Sequence, residues 1–455
     1  MPDSPSPPSD PFAALDRAAV ARTLSQLADR RGDLADAWFE RVEEVELPPE
    51  EASGWGQDRG GPGVRVRREE GLAVRLVRDG QTWLSARDGI ASAGFADALR
   101  QVARVLPAAA YPEPVLDLPA WDEPFEAPEV LELPSLVHRA VRARHAAFAL
   151  RLTVRRHRRW VQVVGGERLV PDAERESFYS CEAELPWCRW GALFPHLGRA
   201  TAERIAEALV DLFRARHAGP PEPFRGTVVL APAAAAVLLH EAVAHALEAD
   251  LLALGGNPEA AVGVVLGPSC LSVLDDPAGA PEPVRRATDD EGRPVRRRWL
   301  LREGVVQEPL ADGLWAAASE VLTPGAGRRA GRHALPGPRS THLELLAGDL
   351  AAADLAADAE GGLWFTEAGR GALDPLTGTF RLELPSGRRI RGGVPGDPVG
   401  PCRIEGRVAD LLASVAGVGD VPEPAGAGWC AKGGSKLPVW ATCPALRLEG
   451  VEVLP

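Results

Sequence analysis

The chain has 455 residues, and its 51 Lys and Arg against 64 Asp and Glu give a formal net charge of −13. This length leaves room for more than one domain and for a large apolar core. The acidic balance argues against a surface built for nucleic acid or for an anionic membrane.

The sequence has no run of about 20 apolar residues that would span a bilayer. Its first residues also lack the basic start and apolar run of a signal peptide, so we expect a cytoplasmic protein without a membrane anchor. Six cysteines without a secretory segment favour free thiols or metal ligands over a disulfide framework.

The first half of the sequence predicts helices and hairpins. Residues 1–12 are rich in Pro and Ser, which predicts a disordered tail. In residues 13–45 apolar side chains recur every three or four positions, which predicts a helix. Residues 71–89 alternate apolar and polar side chains about an Asp-Gly turn, which is typical of a β-hairpin. Residues 92–106 have helical spacing again, with Ser92 as the expected N-cap.

A second hairpin is predicted for residues 148–170, with the basic run RRHRR at 155–159 in its solvated turn. Residues 199–217 form an amphipathic helical pattern. The Pro-rich segment PPEPFRG at 220–226 follows it and is the best candidate for a domain boundary. We therefore predict an N-terminal domain that ends at residue 218.

The second half begins with a short buried strand, TVVLAP, at 227–232, followed by strong helix formers at 233–254 with Pro232 in the first helical turn. Beyond that helix, short alternating segments are separated by glycines and turns. The chain is therefore predicted to be α+β with two domains: an N-terminal α/β-hairpin domain at 13–218, and a β-rich domain at 219–455 that carries the helix.

This helix contains two histidines and a glutamate in the run HEAVAH. In zinc peptidases the two histidines usually lie four residues apart, so that both rings point at one ion. His240 and His245 are five residues apart, which on a regular helix leaves them about 140° apart. A π-helical bulge would bring them onto one face, and such bulges occur mostly at functional sites. The alternative is that one histidine is a packed core residue.

A third ligand has to come from a distant segment. Cys430 is the best candidate because it lies in a Gly-rich segment, GAGWCAKGG, which we expect to be a loop. The segment adjoins the only two lysines of the chain, Lys432 and Lys436, whose charge would favour a thiolate. Cys443 is the reserve candidate. The other four cysteines are interpreted as small buried hydrophobic residues: Cys181, Cys188, Cys270 and Cys402.

The stretch HEAVAHALEAD resembles the HExxxH…ExD segment of the TldD/PmbA family, in particular its metal-bearing TldD-type subunit. Further segments resemble other motifs of that family in the same order: VLDDP at 273–277, TDDEGRPV at 288–295, LLREGVV at 300–306, PRSTHLEL at 338–345 and CAKGGSKLPV at 430–439. The first-half hairpin also fits the family's N-terminal domain.

The resemblance implies a zinc metallopeptidase that acts on unfolded or unstructured peptides. It implies an active site between the two domains, enclosed in a dimer that is either a homodimer or a heterodimer with a paralogous subunit. Carried onto this chain, it makes His240, His245 and Cys430 the Zn²⁺ ligands. Glu241 matches the general base, which takes a proton from water and returns it to the leaving amine.

Several positions near these motifs have two interpretations. Glu248 and Asp250 match the tail of the helix motif and either orient a ligand histidine or are solvated acids at a helix end. Lys432 would bind a substrate carboxylate or support the thiolate. His342 replaces the family's usual Asn and is a substrate contact or a surface residue. Ala244 replaces a common Gly, which makes a backbone distortion harder.

Two other functional classes stay open at this point. The chain could be a non-catalytic scaffold or regulatory subunit of a TldD/PmbA-type dimer. It could also be a regulatory module that acts on a DNA-handling enzyme, as the family's older "gyrase modulator" label suggests. A thiol peptidase with Cys430 as nucleophile would leave Glu241 without a task.

Overall fold

The computed structural model describes most of the chain. The described ranges are 10–30, 32–49, 63–106, 111–112, 114–116, 118–119, 121, 127–144, 146–165, 173–254, 261–319 and 322–455. Residues 1–9 of the predicted disordered tail lie outside them. The prediction is wrong at the end of that tail, because Phe12 is fully buried in an apolar cluster and Asp10 accepts a 2.7 Å hydrogen bond from Arg17.

The first half forms one antiparallel sheet with helices packed on it. Its elements are α1 (Arg17–Leu27), β1 (Leu34–Leu47), β2 (Arg65–Arg78), β3 (Gln81–Asp88), α2 (Ser92–Ala103), α3 (Pro128–Ala143), β4 (Arg151–Gly165), β5 (Glu174–Glu184), β6 (Arg189–Phe194) and α4 (Arg199–Ala215). The six strands lie in the order β3-β2-β1-β4-β5-β6. Helices α1 and α2 cover one apolar cluster, and α3 and α4 cover a second one.

Two sequence predictions for this half are wrong, and both errors concern β1 and β4. The helix predicted for 13–45 ends at Leu27, because the following segment is the central strand β1. The hairpin predicted for 148–170 is the single strand β4, and RRHRR lies in its middle. The acidic side chains of β1 lie opposite this basic run, with Glu43 beside Arg158 and Glu46 beside Arg155. Cross-strand charge pairing of this kind stabilises a sheet but is invisible to local patterns.

Other predictions for this half are confirmed. The hairpin at 71–89 is β2–β3, and its turn residues Asp79 and Gly80 have φ of 52° and 74°, as a type I′ turn requires. Helix α2 is present, but its N-cap is Ala91 and Ser92 does not cap it. The Ser92 hydroxyl instead accepts a 2.7 Å hydrogen bond from the backbone N–H of Leu116.

The second half is dominated by short strands, as predicted. Its helices are α5 (Pro232–Leu239), α6 (Ala249–Ala253), α7 (Gly313–Ala317), α8 (Ala352–Ala357) and α9 (Val408–Ala413). Its strands are β7 (Phe224–Leu230), β8 (Val273–Asp275), β9 (Arg298–Arg302), β10 (Val305–Val306), β11 (Gly327–Arg328), β12 (Gly337–Pro338), β13 (His342–Leu345), β14 (Leu363–Phe365), β15 (Gly371–Asp374), β16 (Thr379–Leu384), β17 (Gly387–Arg391), β18 (Val394–Val399), β19 (Cys402–Arg407), β20 (Val415–Val418), β21 (Glu423–Lys432), β22 (Ser435–Cys443) and β23 (Leu446–Leu454).

These strands form two larger sheets with α5 buried between them. One sheet has the order β10-β9-β8-β13-β22-β21, and the other has the order β15-β16-β19-β23-β7-β14-β17-β18 with β20 also paired to β23. Helix α5 contacts β7 of one sheet and β21 and β22 of the other. One large apolar cluster includes all of these elements. The α+β class with a β-rich second half that carries the helix is confirmed.

The predicted boundary between residues 218 and 219 falls between α4 and β7 and stays a prediction. The two halves of the chain contact each other through buried charged side chains. Arg75 of β2 donates a 2.8 Å hydrogen bond to Glu291, and Arg332 donates a 3.1 Å hydrogen bond to Glu40 of β1. Among the described residues, no helix is both long enough and apolar enough to cross a bilayer.

Candidate metal centre

The two histidines lie where helix α5 changes its geometry. Pro232 occupies the first turn of α5, and the run of alanines and leucines after it is well suited to a helix. After Leu239 the helix widens into a π-helical turn over His240–Ala244, in which the His245 N–H bonds to the carbonyl of His240, five residues earlier. Of the two alternatives from the sequence, the structure therefore contains the π-helical turn.

The consequence of this turn is that both imidazoles lie on one face. The ring centroids of His240 and His245 are 4.6 Å apart, whereas a regular helix would turn them away from each other. Both residues are buried, at 2% and 8% exposure. The turn is followed by a short 3₁₀ segment, His245–Leu247, which directs the chain towards α6.

Cys430 completes the cluster from the hairpin formed by β21 and β22. Its Sγ lies 3.4 Å from Nε2 of His245, and the ligand atoms of His240, His245 and Cys430 all lie within 4.8 Å of one another. The predicted loop around Cys430 is wrong, because the residue lies within β21. The glycines serve instead in the hairpin turn, where Gly433 and Gly434 have φ of 57° and 77°.

His240 is a neutral imidazole with one ring nitrogen that no described residue satisfies. Burial, together with the nearby His245, lowers the pKa of His240 to about 3, so its ring is uncharged near neutral pH. Its Nδ1 lies 3.3 Å from the hydroxyl of Ser340, while its buried Nε2 has no hydrogen-bond partner among the described residues. A buried polar atom without a partner is costly unless a ligand satisfies it.

His245 is oriented by Glu248. Its Nδ1 is 2.8 Å from Oε2 of Glu248, and because a carboxylate only accepts, this nitrogen donates and Nε2 is the nitrogen directed towards Cys430. Burial acts to lower the pKa of His245, but the Glu248 charge outweighs it and raises that pKa. Burial opposes ionisation of Glu248, yet His245 and then Lys432 lower its pKa to about 2. A carboxylate behind a histidine is the usual support of a metal-ligating imidazole.

Lys432 binds the carboxylates behind the cluster. Its Nζ lies 2.7 Å from Glu248, 2.8 Å from Asp250 and 3.1 Å from the carbonyl of Pro338. An ammonium has three donors, and these three acceptors use all of them. The contacts favour Lys432 as a support of Glu248 over a direct contact with a substrate carboxylate. They also make Glu248 and Asp250 paired groups and not solvated acids at a helix end.

His342 is buried, which corrects its interpretation as a surface residue, and it is not part of the cluster. It lies in β13 at 2% exposure. Its Nδ1 is 3.0 Å from the carbonyl of Asp276, and its Nε2 is 2.9 Å from the hydroxyl of Thr442. Both ring nitrogens are satisfied, so His342 connects β13 to its neighbours.

The remaining cysteines lie away from the cluster. The reserve candidate Cys443 is buried beside the start of α5, with Sγ 3.0 Å from the carbonyl of Pro232. Cys181 and Cys402 are buried as expected. Cys270 is exposed and Cys188 is only partly buried, which corrects the expectation that they are core residues.

Glu241 lies in the π-helical turn next to His240 and is partly exposed. Burial raises the pKa of its carboxyl group. None of the described residues donates a hydrogen bond to this carboxylate. The backbone of Gly371 in β15 packs against its side chain, and a Cβ on Gly371 would lie 2.3 Å from Cγ of Glu241.

Sequence reasoning missed two neighbours of the site. Ser340 lies in the quoted PRSTHLEL segment, but only the folded chain shows its hydroxyl beside His240. Gly371 is one of 47 glycines, and no local pattern distinguishes it.

The N-terminal sheet is connected to this centre through the segment 310–313. The backbone of Leu310 accepts a 2.9 Å hydrogen bond from Ala249 and donates a 2.8 Å hydrogen bond to Leu247, so it binds the chain on both sides of Glu248. Three residues later, the N–H of Gly313 donates to Glu291 at 2.5 Å. Glu291 is in turn the partner of Arg75 on β2, described above.

Comparison with known proteins identifies relatives of this chain. The family model for the PmbA/TldA metallopeptidase C-terminal domain matches residues 223–454. A metalloprotease TldD homolog from Haemophilus influenzae is 31% identical over 258 residues, which are 55% of this chain and 52% of that protein. A metalloprotease from Methanothermobacter thermautotrophicus is 29% identical over 262 residues, 56% of this chain and 55% of that protein. The chain thus spans about half the length of the curated relatives it matches.

The likeness in fold extends over nearly the whole chain. The crystal structure of TldE from Thermococcus kodakarensis superposes with a TM-score of 0.70 at 18% identity, covering 96% of this chain and 100% of that one. The matched segment and the fold thus define a protein with a metallopeptidase-type C-terminal domain. The chain belongs to the TldD/PmbA family, which confirms the resemblance seen in the sequence.

Proposed function

We propose that this chain is a zinc-dependent metallopeptidase of the TldD type that hydrolyses peptide bonds of unfolded or unstructured peptides. The observation that carries the proposal is that the ligand atoms of His240, His245 and Cys430 lie within 4.8 Å of one another. Among the described residues, the buried Nε2 of His240 has no hydrogen-bond partner. Two nitrogens and one sulfur suit zinc, and three protein ligands leave a position open for chemistry. The curated relatives, which are named metalloproteases, support this reading.

In this proposal His240, His245 and Cys430 hold the ion, and Glu248 keeps His245 in the tautomer that presents Nε2. A bound zinc ion supplies Lewis acidity, which polarises a substrate carbonyl and promotes the ionisation of water. Glu241 accepts the proton of the attacking water at its carboxylate and delivers it to the leaving amine. The raised pKa of Glu241 suits this exchange, because a base works best when its pKa approaches the working pH.

The proposal includes a cytoplasmic dimer, formed with a second copy or with a paralogous subunit. The second candidate function is a non-catalytic scaffold or regulatory subunit of such a dimer. The likeness in fold to TldE is the observation that favours it. The complete set of His240, Glu241, His245 and Cys430 favours the peptidase.

The test is to measure zinc per chain and hydrolysis of an unstructured protein such as casein, in the parent and in Glu241→Gln. We expect about one zinc in both proteins, with full hydrolysis by the parent and only a small residual rate in Glu241→Gln, because Glu241 is a base and not a ligand. A parent without zinc after purification free of chelator, or equal hydrolysis by both proteins, would contradict the proposal. Zinc without hydrolysis in the parent would favour the scaffold.

A further inference from the structure

A general base has to be held in one place, and the structure contains little that holds Glu241. Its carboxylate receives no hydrogen bond from the described residues, in contrast to Glu248, which is bound by His245 and Lys432. Its side chain is partly exposed, so the surrounding core does not enclose it. The conformation of Glu241 therefore depends on packing against a neighbouring element.

That neighbour is Gly371 of β15. If a Cβ is built on Gly371, its three nearest heavy atoms all belong to Glu241: Cγ at 2.3 Å, Cδ at 3.0 Å and Oε1 at 3.1 Å. A contact of 2.3 Å essentially never occurs at a real Cβ, so the stem of Glu241 in this position fits only against bare backbone. No atom of the three metal-binding candidates is among these nearest contacts.

The need for glycine at this position is one of space and not of backbone conformation. Gly371 is not among the residues with positive φ, and it pairs regularly with Leu382 of β16. The strand is also held in place. Glu383 bonds to Gly369 and Arg370 just before it at 2.7 and 2.9 Å, and Leu373 packs against the main apolar cluster. An added side chain at residue 371 would therefore displace Glu241 more readily than the strand.

We infer that Gly371 is a positioning residue, whose bare backbone is the wall that keeps the Glu241 carboxylate in its working position. The inference rests on the proposed function and adds a residue that the sequence motifs do not include. It separates two properties of the site. Metal binding should not depend on Gly371, whereas the position of the base should.

The test is Gly371→Ala, with Gly369→Ala as the matched control. Gly369 lies two residues earlier, and a Cβ there would meet its nearest atoms in Glu383 at an ordinary 3.4 Å. We expect both variants to keep one zinc per chain and the parental melting temperature. We expect kcat for casein to fall about 100-fold in Gly371→Ala, because a misplacement of about 1 Å costs that much, and to stay near the parental value in Gly369→Ala.

A double variant distinguishes positioning from a general structural role. If Gly371 acts through Glu241, then Gly371→Ala should lower the rate of the Glu241→Gln enzyme no further, since the two changes remove the same contribution. A Gly371→Ala enzyme with full kcat would overturn the inference, and so would parallel loss of zinc and activity. A zinc-loaded parent without hydrolysis would overturn the proposed function and this inference with it.

Discussion

Two buried polar regions of this molecule differ in whether acidic and basic groups pair with one another. The matched region contains Glu43 with Arg68 and Arg156, and the unmatched region contains His240, His245 and Cys430. On the N-terminal sheet Glu43 of β1 accepts hydrogen bonds from Arg68 and Arg156 at 2.9 and 3.1 Å, so that acid and base neutralise each other within the chain. In the cluster on α5 and β21, the ligand atoms of His240, His245 and Cys430 all lie within 4.8 Å of one another, so three electron-pair donors face one another. Opposite charges that pair with each other stabilise a fold, whereas several electron-pair donors that face one another indicate a site for a ligand.

Removal of Glu43 should break the matched region. Glu43→Ala removes the carboxylate that lies 3.1 Å from the buried Arg156, while Glu129 stays at 3.5 Å, and we expect the free energy of unfolding to fall by about 3 kcal/mol. Urea denaturation measures this loss, and zinc per folded chain should not change. Arg65→Ala is the control, because Arg65 is 75% exposed and its ion pair with Glu46 should contribute only about 0–1 kcal/mol. Equal losses in the two variants would contradict the interpretation.

Removal of Cys430 should break the unmatched region. Binding of structural zinc by four ligands is worth about 10–16 kcal/mol, so loss of one ligand in Cys430→Ala should weaken zinc binding on the order of 1,000-fold. Competition with a chelator of known affinity measures this change. Cys443→Ala removes a buried thiol outside the cluster and should keep its zinc. If both variants kept zinc equally, Cys430 would not be a ligand.

Glu248→Gln connects the two regions, because Glu248 is paired with a basic group and also supports the candidate metal-binding cluster. Outer carboxylates of metal sites typically contribute 10–100-fold in metal affinity, and we expect a loss of about that size. Asp250→Asn is the control, because Asp250 shares Lys432 with Glu248 but does not bind a ligand histidine. The same chelator competition serves both variants. An unchanged affinity in Glu248→Gln would show that His245 needs no carboxylate.

The smallest effect is expected at Ala244, where the family commonly has glycine. Ala244 has φ of −65° and ψ of −54°, so the π-helical turn requires no glycine here. Ala244→Gly should therefore lower the free energy of unfolding by about 1 kcal/mol, through the poor helix propensity of glycine. Zinc affinity should stay at the parental value, and a gain in affinity would mean that the turn is strained in this chain.

The sequence predicts the local geometry of the two histidines better than it predicts contacts between distant segments. The five-residue spacing of His240 and His245 permits a shared ion only with a bulge, and this constraint made the π-helical turn one of two alternatives. Strand β1 was missed because apolar residues in LADAWFERVEEVEL fit both a helix and a strand, and one of its two partner strands, β4, lies over 100 residues away. Gly371 could not be found, because its role is a contact across the fold and not a pattern along the chain.

His245 and Cys430 of the cluster are 185 residues apart along the chain. Between His245 and Cys430 lie most strands of both sheets of the second half, and β21 must be formed on β22 before the thiol faces the imidazoles. A chain still in synthesis presents the two histidines long before the cysteine. In the proposed metal centre the complete set of ligands exists only after β21 and β22 have formed, so a bound ion would report on a finished domain.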